Sequence, residues 1–188
     1  GVKRAINGSQ AAELAKLDAR ASSPEWPNKT SCGIPQLRVL MRQCGSLKGY
    51  QLEVKTDSQR HSQHMAEQLK HLFPRSNDCK KVIVTSFDEY FLQQLQQRAP
   101  HIPRGLVSMQ RQSLTQASAL DCRYFCIHDS IITPALIKKI HAKGLHCSVW
   151  TMNQPSRIEQ LFQWQVDSLV TDYPSMALPL VKRLSHAA

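Results

Sequence analysis

Residues 50–57 read YQLEVKTD, and two of them could do chemistry together. Tyr50, Leu52 and Val54 fit one face of a β-strand, which leaves Glu53 and Lys55 two apart on the other face. Both fall at the strand's carboxyl end. A carboxylate beside an ammonium suits a phosphate ester: the carboxylate can hold a divalent cation through oxygen, and the ammonium can neutralise a phosphoryl oxygen. The same pair could instead be a structural ion pair or a solvated strand end.

Other apolar runs end in the same manner. VIVTSF ends in Ser86 and Phe87, and YFCIHD in His128 and Asp129. VWTMN carries Trp150 and Asn153, and VTDYP carries Asp172 and Tyr173. Each ending has an ordinary explanation: a helix cap for Asp172, a turn for Asn153, a core aromatic for Trp150. Five endings in register point to a shared site.

The elements that would position these residues alternate along the chain. Leu37, Leu40, Met41 and Cys44 follow helical spacing. After the YQLEVK strand, Met65, Leu69, Leu72 and Phe73 mark a helix ended by Pro74. KVIVTSF (81–87) reads as a strand covered on both faces. Phe91, Leu92 and Leu95 mark the next helix, followed by the strands IPRGLVSM (102–109) and YFCIHD (124–129). Thr133-Pro134 offers an N-cap with proline at the first helical position, and Gly144 a C-terminal stop. LHCSVWTMN (145–153) is a fifth strand and VDSLVTDYP (166–174) a sixth, each followed by a helix. Six strands alternating with helices predict an α/β fold with a parallel sheet, either open and doubly wound or a barrel, with its working side at the carboxyl ends of the strands.

Composition narrows the function classes. The 188 residues are 41% hydrophobic, enough for a real core. A net charge of +10, from 24 Lys+Arg against 14 Asp+Glu, favours anionic partners. The basic residues are scattered, and aromatics are only 6%, too few for stacking platforms, so a nucleic-acid partner is not expected. None of the six cysteines forms a C-x-x-C pair, which argues against a zinc ribbon or a dithiol redox site. No apolar stretch reaches the roughly 20 residues of a membrane span. Buried thiols and no signal peptide predict a cytoplasmic protein, and the Asn28-Lys29-Thr30 sequon is read as chance. His61, His64 and His71 are assigned to the solvated face of their helix.

At this point the chain resembles the glycerophosphodiester phosphodiesterases of the bacterial, cytosolic type. GIPQLRVLM followed by LEVK resembles that family's "IPtLxxvL … xEiK", and VIVTSFDEYFLQQLQQRAP its "VxxSSFxxxxLxxxrxxxP". IITPALIKKIHAKG is similar to "LTPALxxxxHxxG". SVWTMNQPSRIEQLFQWQVDSLVTDYP is similar to "vxvWTVNxxxxxxxLxxxGVDgiiTDyP". Order and spacing agree over roughly residues 34–175. The resemblance implies a (β/α)8 TIM barrel, with about six of its eight strand–helix units in this chain. Residues 1–33 would be a remnant of the insertion after the second barrel strand, and 34–188 a partial barrel domain. It also implies divalent-metal-dependent hydrolysis of glycerophosphodiesters to glycerol 3-phosphate and an alcohol. Glu53 would be a ligand of Mg²⁺ or Ca²⁺, and Lys55 a catalytic residue beside the phosphate. Trp150, with Ser86, Asn153 and Asp172, would bind substrate.

The departures bear on activity. The family's "HRG", "ElD" and "HD" segments, which supply two catalytic histidines and two metal carboxylates, have no counterpart here. Cys126-Ile127-His128-Asp129 contains an "HD", but the helix that follows places it on the family's sixth strand, so His128 is read as a hydrogen-bonded strand-end imidazole. Gln165 replaces the glycine of "GVD", which predicts an altered turn. The expectation is that the family activity belongs to a longer chain and that these residues alone are inactive. The competing reading is a non-catalytic barrel kept as a binding or scaffold module. Open barrel edges predict self-association.

Overall fold

The computed structural model describes residues 6–19 and 33–187, so the Asn28-Lys29-Thr30 sequon and Cys32 lie outside the described residues. The chain divides into two compact units, Gly1–Lys48 and Gly49–Ala188. In the first, α1 spans Ala11–Leu14 and α2 spans Leu37–Gln43, and the Ile34 N–H donates to the Leu14 carbonyl. Gly33 runs so close to this turn that a Cβ there would stand 1.9 Å from the Ala15 carbonyl oxygen.

The second unit carries six strands: β1 (Tyr50–Glu53), β2 (Val82–Ser86), β3 (Arg104–Ser108), β4 (Tyr124–His128), β5 (His146–Trp150) and β6 (Ser168–Leu169). All pair in parallel with their sequence neighbours, in the order β1-β2-β3-β4-β5-β6. Between them run α3 (Gln59–Leu72), α4 (Glu89–Arg98), α5 (Leu114–Ala119), α6 (Pro134–Ala142) and α7 (Pro155–Gln163), and α8 (Pro174–Ala187) closes the unit. The result is the α/β architecture expected, a curled half-barrel with its helices outside.

The last strand is much shorter than predicted, two residues rather than the nine of VDSLVTDYP. The apolar signal there is weak: Val166 and Leu169 are only half-buried and Val170 is exposed. Helix α5 is the opposite case. LTQASA has two buried apolar residues, Leu114 and Ala117, at helical spacing, too few for its period to stand out.

Register fixes which side chains look inward. Partners in a parallel ladder share a face, so Glu53, Thr85, Gly105, Tyr124 and His146 form one inward layer. Cys126 and Ser148 stand one step higher, and His128 and Trp150 one step above those. The opposite faces, with Val84, Leu106, Phe125, Ile127, Cys147 and Val149, are buried beneath the helices. Burial drives this side of the fold, at about 25 cal/mol per Å² of apolar surface removed from water. Gly105 is required within its layer, because a Cβ there would lie 2.8 Å from Tyr124 Cβ and 3.0 Å from Thr85 Cγ2.

The curl brings distant strands together. Gln51 Nε2 reaches Cys126 Sγ at 3.8 Å, a contact between the inward faces of β1 and β4. Cys122, Cys126 and Cys147 are buried, and burial pushes each thiol up to about 12. They stay protonated and inert at neutral pH.

Candidate functional site

The carboxyl end of β1 is built to present two charges. Lys55 Nζ lies 3.5 Å from Glu53 Oε1, and the side chains are 82% and 38% exposed. The two groups therefore share a face and open to solvent. An exposed pair of this kind contributes about 0–1 kcal/mol to stability, so it is not there to hold the strand. It leaves a cation and a carboxylate presented side by side.

The backbone between and after them is clamped. The Val54 N–H donates to the Thr85 carbonyl at 2.8 Å, extending the ladder one residue past β1. Ser86 Oγ donates to the Val54 carbonyl at 2.7 Å and accepts from the Asp88 N–H at 3.0 Å. One residue beyond Lys55, Thr56 Oγ1 donates to Asp88 Oδ2 at 2.5 Å, and Ser62 Oγ donates to the same oxygen at 2.6 Å. Asp88 Oδ1 accepts the Tyr90 N–H and so caps α4. Burial alone would push the Asp88 carboxyl up. The bonds from Ser62, Thr56 and the Phe91 and Tyr90 amides outweigh it and hold the carboxyl below its usual range. The backbone around Lys55 is thus held on both sides, while its head pairs only with the solvated Glu53 carboxylate.

An aromatic wall stands at the carboxyl ends of β2, β4 and β5. The Trp150 indole N–H donates to the Cys126 carbonyl at 3.1 Å, which turns the ring across the top of β4. Phe87 meets it edge to face at 5.5 Å between centroids, and His128 does so at 4.7 Å. Such pairs contribute about 0.5–1.5 kcal/mol beyond their burial. His128 Nδ1 accepts the Ser130 N–H at 3.1 Å and lies 2.8 Å from Ser130 Oγ. Beside Phe87, a cavity of about 310 Å³ continues over the top of β3, lined also by Val107, Ser108, Met109 and Gln110.

The residues singled out in the sequence fall into three groups. Glu53, Lys55 and Trp150 stand on the inward side at the carboxyl mouth. Ser86 does not open onto it: its side chain is 1% exposed and its hydroxyl is committed to the β1 backbone. Asn153 and Asp172 bond to each other. Asn153 Nδ2 donates to Asp172 Oδ2 at 2.8 Å, while Asn153 Oδ1 accepts the Asp172 N–H and the Thr171 hydroxyl. They latch the loop after β5 to the loop after β6. Gln165 has a φ of 63°, the left-handed conformation that glycine favours. His61, His64 and His71 lie on α3, half-buried or exposed, as expected.

The sequence reading passed over the inward steps beneath the mouth. Thr85, the register partner of Glu53, is fully buried and its hydroxyl has no hydrogen-bond partner. Gln51 and Cys126 form the contact that sets β1 against β4. None of these carries a motif. Period-2 counting back from Glu53 would have found Gln51, but only register finds the other two.

The sequence profile of the Glycerophosphoryl diester phosphodiesterase family matches residues 1–176. A glycerophosphodiester phosphodiesterase of Caldanaerobacter subterraneus subsp. tengcongensis is 26% identical over 106 residues, which cover 55% of this chain and 44% of the relative. Another, from Bacillus subtilis, is 24% identical over 181 residues, covering 88% of this chain and 62% of that protein. The chain thus spans 44% and 62% of the length of these two relatives. An Oleispira antarctica phosphodiesterase, solved in complex with the product sn-glycerol-3-phosphate, superposes with a TM-score of 0.75 at 20% identity, over 94% of this chain and 72% of that one.

Proposed function

Because the chain belongs to the glycerophosphoryl diester phosphodiesterase family, we propose that its strand ends form part of a site that hydrolyses glycerophosphodiesters to glycerol 3-phosphate and an alcohol. One observation carries the reading: Glu53 and Lys55 stand side by side, 3.5 Å apart, on the inward face at the carboxyl mouth of a parallel sheet. In this reading Lys55 neutralises a non-bridging phosphoryl oxygen. Trp150 and Phe87 form a wall that keeps water from one side of the ester. Ser86 and Thr56 fix the backbone around Lys55, and the Asn153–Asp172 latch holds the loop that follows Trp150. The product bound to the Oleispira antarctica enzyme is the compound this arrangement would release.

The reading includes a divalent cation, Mg²⁺ or Ca²⁺, with Glu53 as one oxygen donor. Such cations gather six or more oxygens, several of them from protein carboxylates or carbonyls. Among the described residues no group of three His, Cys, Asp or Glu side chains could hold a metal ion. The described donor set therefore does not fit a complete metal site. Glu53 would serve as a single donor to an ion whose other donors come from elsewhere.

This donor set also favours the second reading, that these 188 residues bind a phosphate ester without turning it over. Incubation with glycerophosphocholine and Mg²⁺ or Ca²⁺ separates the two. We expect no release of glycerol 3-phosphate; turnover abolished by Glu53→Gln would instead establish this chain as an active enzyme. A place in lipid and glycerol metabolism and a cytoplasmic location belong to the same proposal, supported by the substrate class and the protonated, buried thiols. No described helix is long and apolar enough to cross a membrane.

A further inference from the structure

His128 has a chemical state that its surroundings dictate. The Ser130 backbone N–H can only donate, and it donates to His128 Nδ1. Nδ1 is therefore an acceptor, and the neutral ring carries its proton on Nε2. The ring is also fixed in orientation by its edge-to-face contact with Trp150.

Its place follows from the contact across the interior. Gln51 on β1 touches Cys126 on β4. Two residues further along both strands stand Glu53 and His128, each one inward step above that contact. The strands run in one direction, so the imidazole and the Glu53–Lys55 pair both stand on the inward face at the carboxyl ends of their strands, on the same mouth.

The wall around His128 is otherwise poor in donors. The Trp150 N–H is taken by the Cys126 carbonyl, and Phe87 has none. A ligand whose phosphoryl end lies against Lys55 would lay its carbon end, with its hydroxyls, against this wall. A hydroxyl buried there without a partner is disfavoured. We propose that His128 Nε2–H donates a hydrogen bond to a hydroxyl of the glycerol moiety, making His128 a specificity residue that selects a polyol phosphate over an alkyl phosphate. This rests on the phosphate-ester reading of the Glu53–Lys55 pair. The general-acid role is not part of it, because His128 is placed at the carbon end of the ligand and not beside the scissile bond.

The test uses the full chain titrated with glycerol 3-phosphate and with n-propyl phosphate, which lacks both hydroxyls. Wild type should bind glycerol 3-phosphate about fivefold or more tighter, the usual scale of one neutral hydrogen bond. His128→Phe keeps a ring against Trp150 but removes the donor, and should erase that preference. His128→Gln loses the ring but keeps an N–H near the Nε2 position, and should retain most of it. The reverse pattern, with Phe retaining the preference and Gln losing it, would overturn the inference and reduce His128 to packing. If wild type binds both phosphates equally, the inference falls while the phosphate reading stands. If it binds neither, the phosphate reading falls first and takes the inference with it. Nitrogen-15 NMR of the wild-type ring supplies a check that no variant can confound. An Nε2–H tautomer is expected, with its signal moving on addition of glycerol 3-phosphate; an Nδ1–H tautomer would sink the proposal.

Discussion

Lys55 is a cation whose head has one weak, solvated partner and whose backbone is held on both sides. That combination separates its contribution to stability from its contribution to binding. Glu53→Gln and Lys55→Met should each shift unfolding free energy by less than about 0.5 kcal/mol, as exposed pairs do. Denaturant melts followed by circular dichroism measure this. The same Lys55→Met variant should lose affinity for glycerol 3-phosphate by tenfold or more, because a charge-assisted hydrogen bond is roughly twice as strong as a neutral one. A large loss of stability in either variant would mean that the pair serves the fold rather than a ligand. Arg104 shows what a structural charge looks like in this protein. It is 2% exposed, its guanidinium donates to the carbonyls of Pro100, Ile102, Leu120 and Asp121, and it pairs with Asp121 Oδ2 at 2.9 Å. Burial lowers its pKa, with Asp121 opposing. Nothing of that kind surrounds Lys55.

At the scale of elements, one carboxylate joins two strand–helix units. Asp88 caps α4 and accepts from Thr56, after β1, and from Ser62, in α3. Its pKa is depressed in the folded protein relative to an ordinary value of 3.8. The stability it contributes is therefore complete above about pH 3.8 and is lost as pH falls through the lower folded value. Asp88→Asn should flatten the stability curve across that acid window and lower stability at neutral pH, where Asn can no longer accept from both hydroxyls as a charged group does. Thermal melts between pH 2.5 and 7 test it; parallel curves for the two proteins would remove Asp88 from this role. In β3, Gly105→Ala should cost about 1–3 kcal/mol, the usual effect of overpacking, because Tyr124 Cβ is fixed to its backbone and cannot turn away. A variant as stable as wild type would show that β3 can shift within the sheet.

At the scale of the whole molecule, the six-stranded sheet ends in β1 on one side and the two-residue β6 on the other. Among the described residues both are edge strands of a parallel sheet, an arrangement usually closed or covered. Next to β6 lies an apolar cavity of about 380 Å³, lined by Phe162, Val166, Leu169, Ala177, Leu178 and Val181 among others. These features predict concentration-dependent association. Sedimentation velocity at increasing protein concentration should show weight-average mass rising above 21.3 kDa; a constant monomer mass would mean that the edges do not pair between copies.

Much of this protein could be read from periodicity. The buried strands VIVTS and HCSVW and the capped helix at Thr133-Pro134 declare themselves, because burial of one face repeats at a local spacing and caps use local hydrogen bonds. The parity of Glu53 and Lys55 is local in the same sense, since alternate residues of one strand share a face wherever the strand lies. The family blocks then supplied the order of the units and the name of the chemistry. Tertiary structure decided what depends on residues distant in sequence. It withdrew the Ser86 hydroxyl into a clamp on Val54, turned Asn153 and Asp172 toward each other, and shortened β6. It also set Gln51 against Cys126, joining the inward faces of β1 and β4. A side chain's partner is chosen by the curl and register of the sheet. Those depend on how six strands pack together, which no single segment encodes.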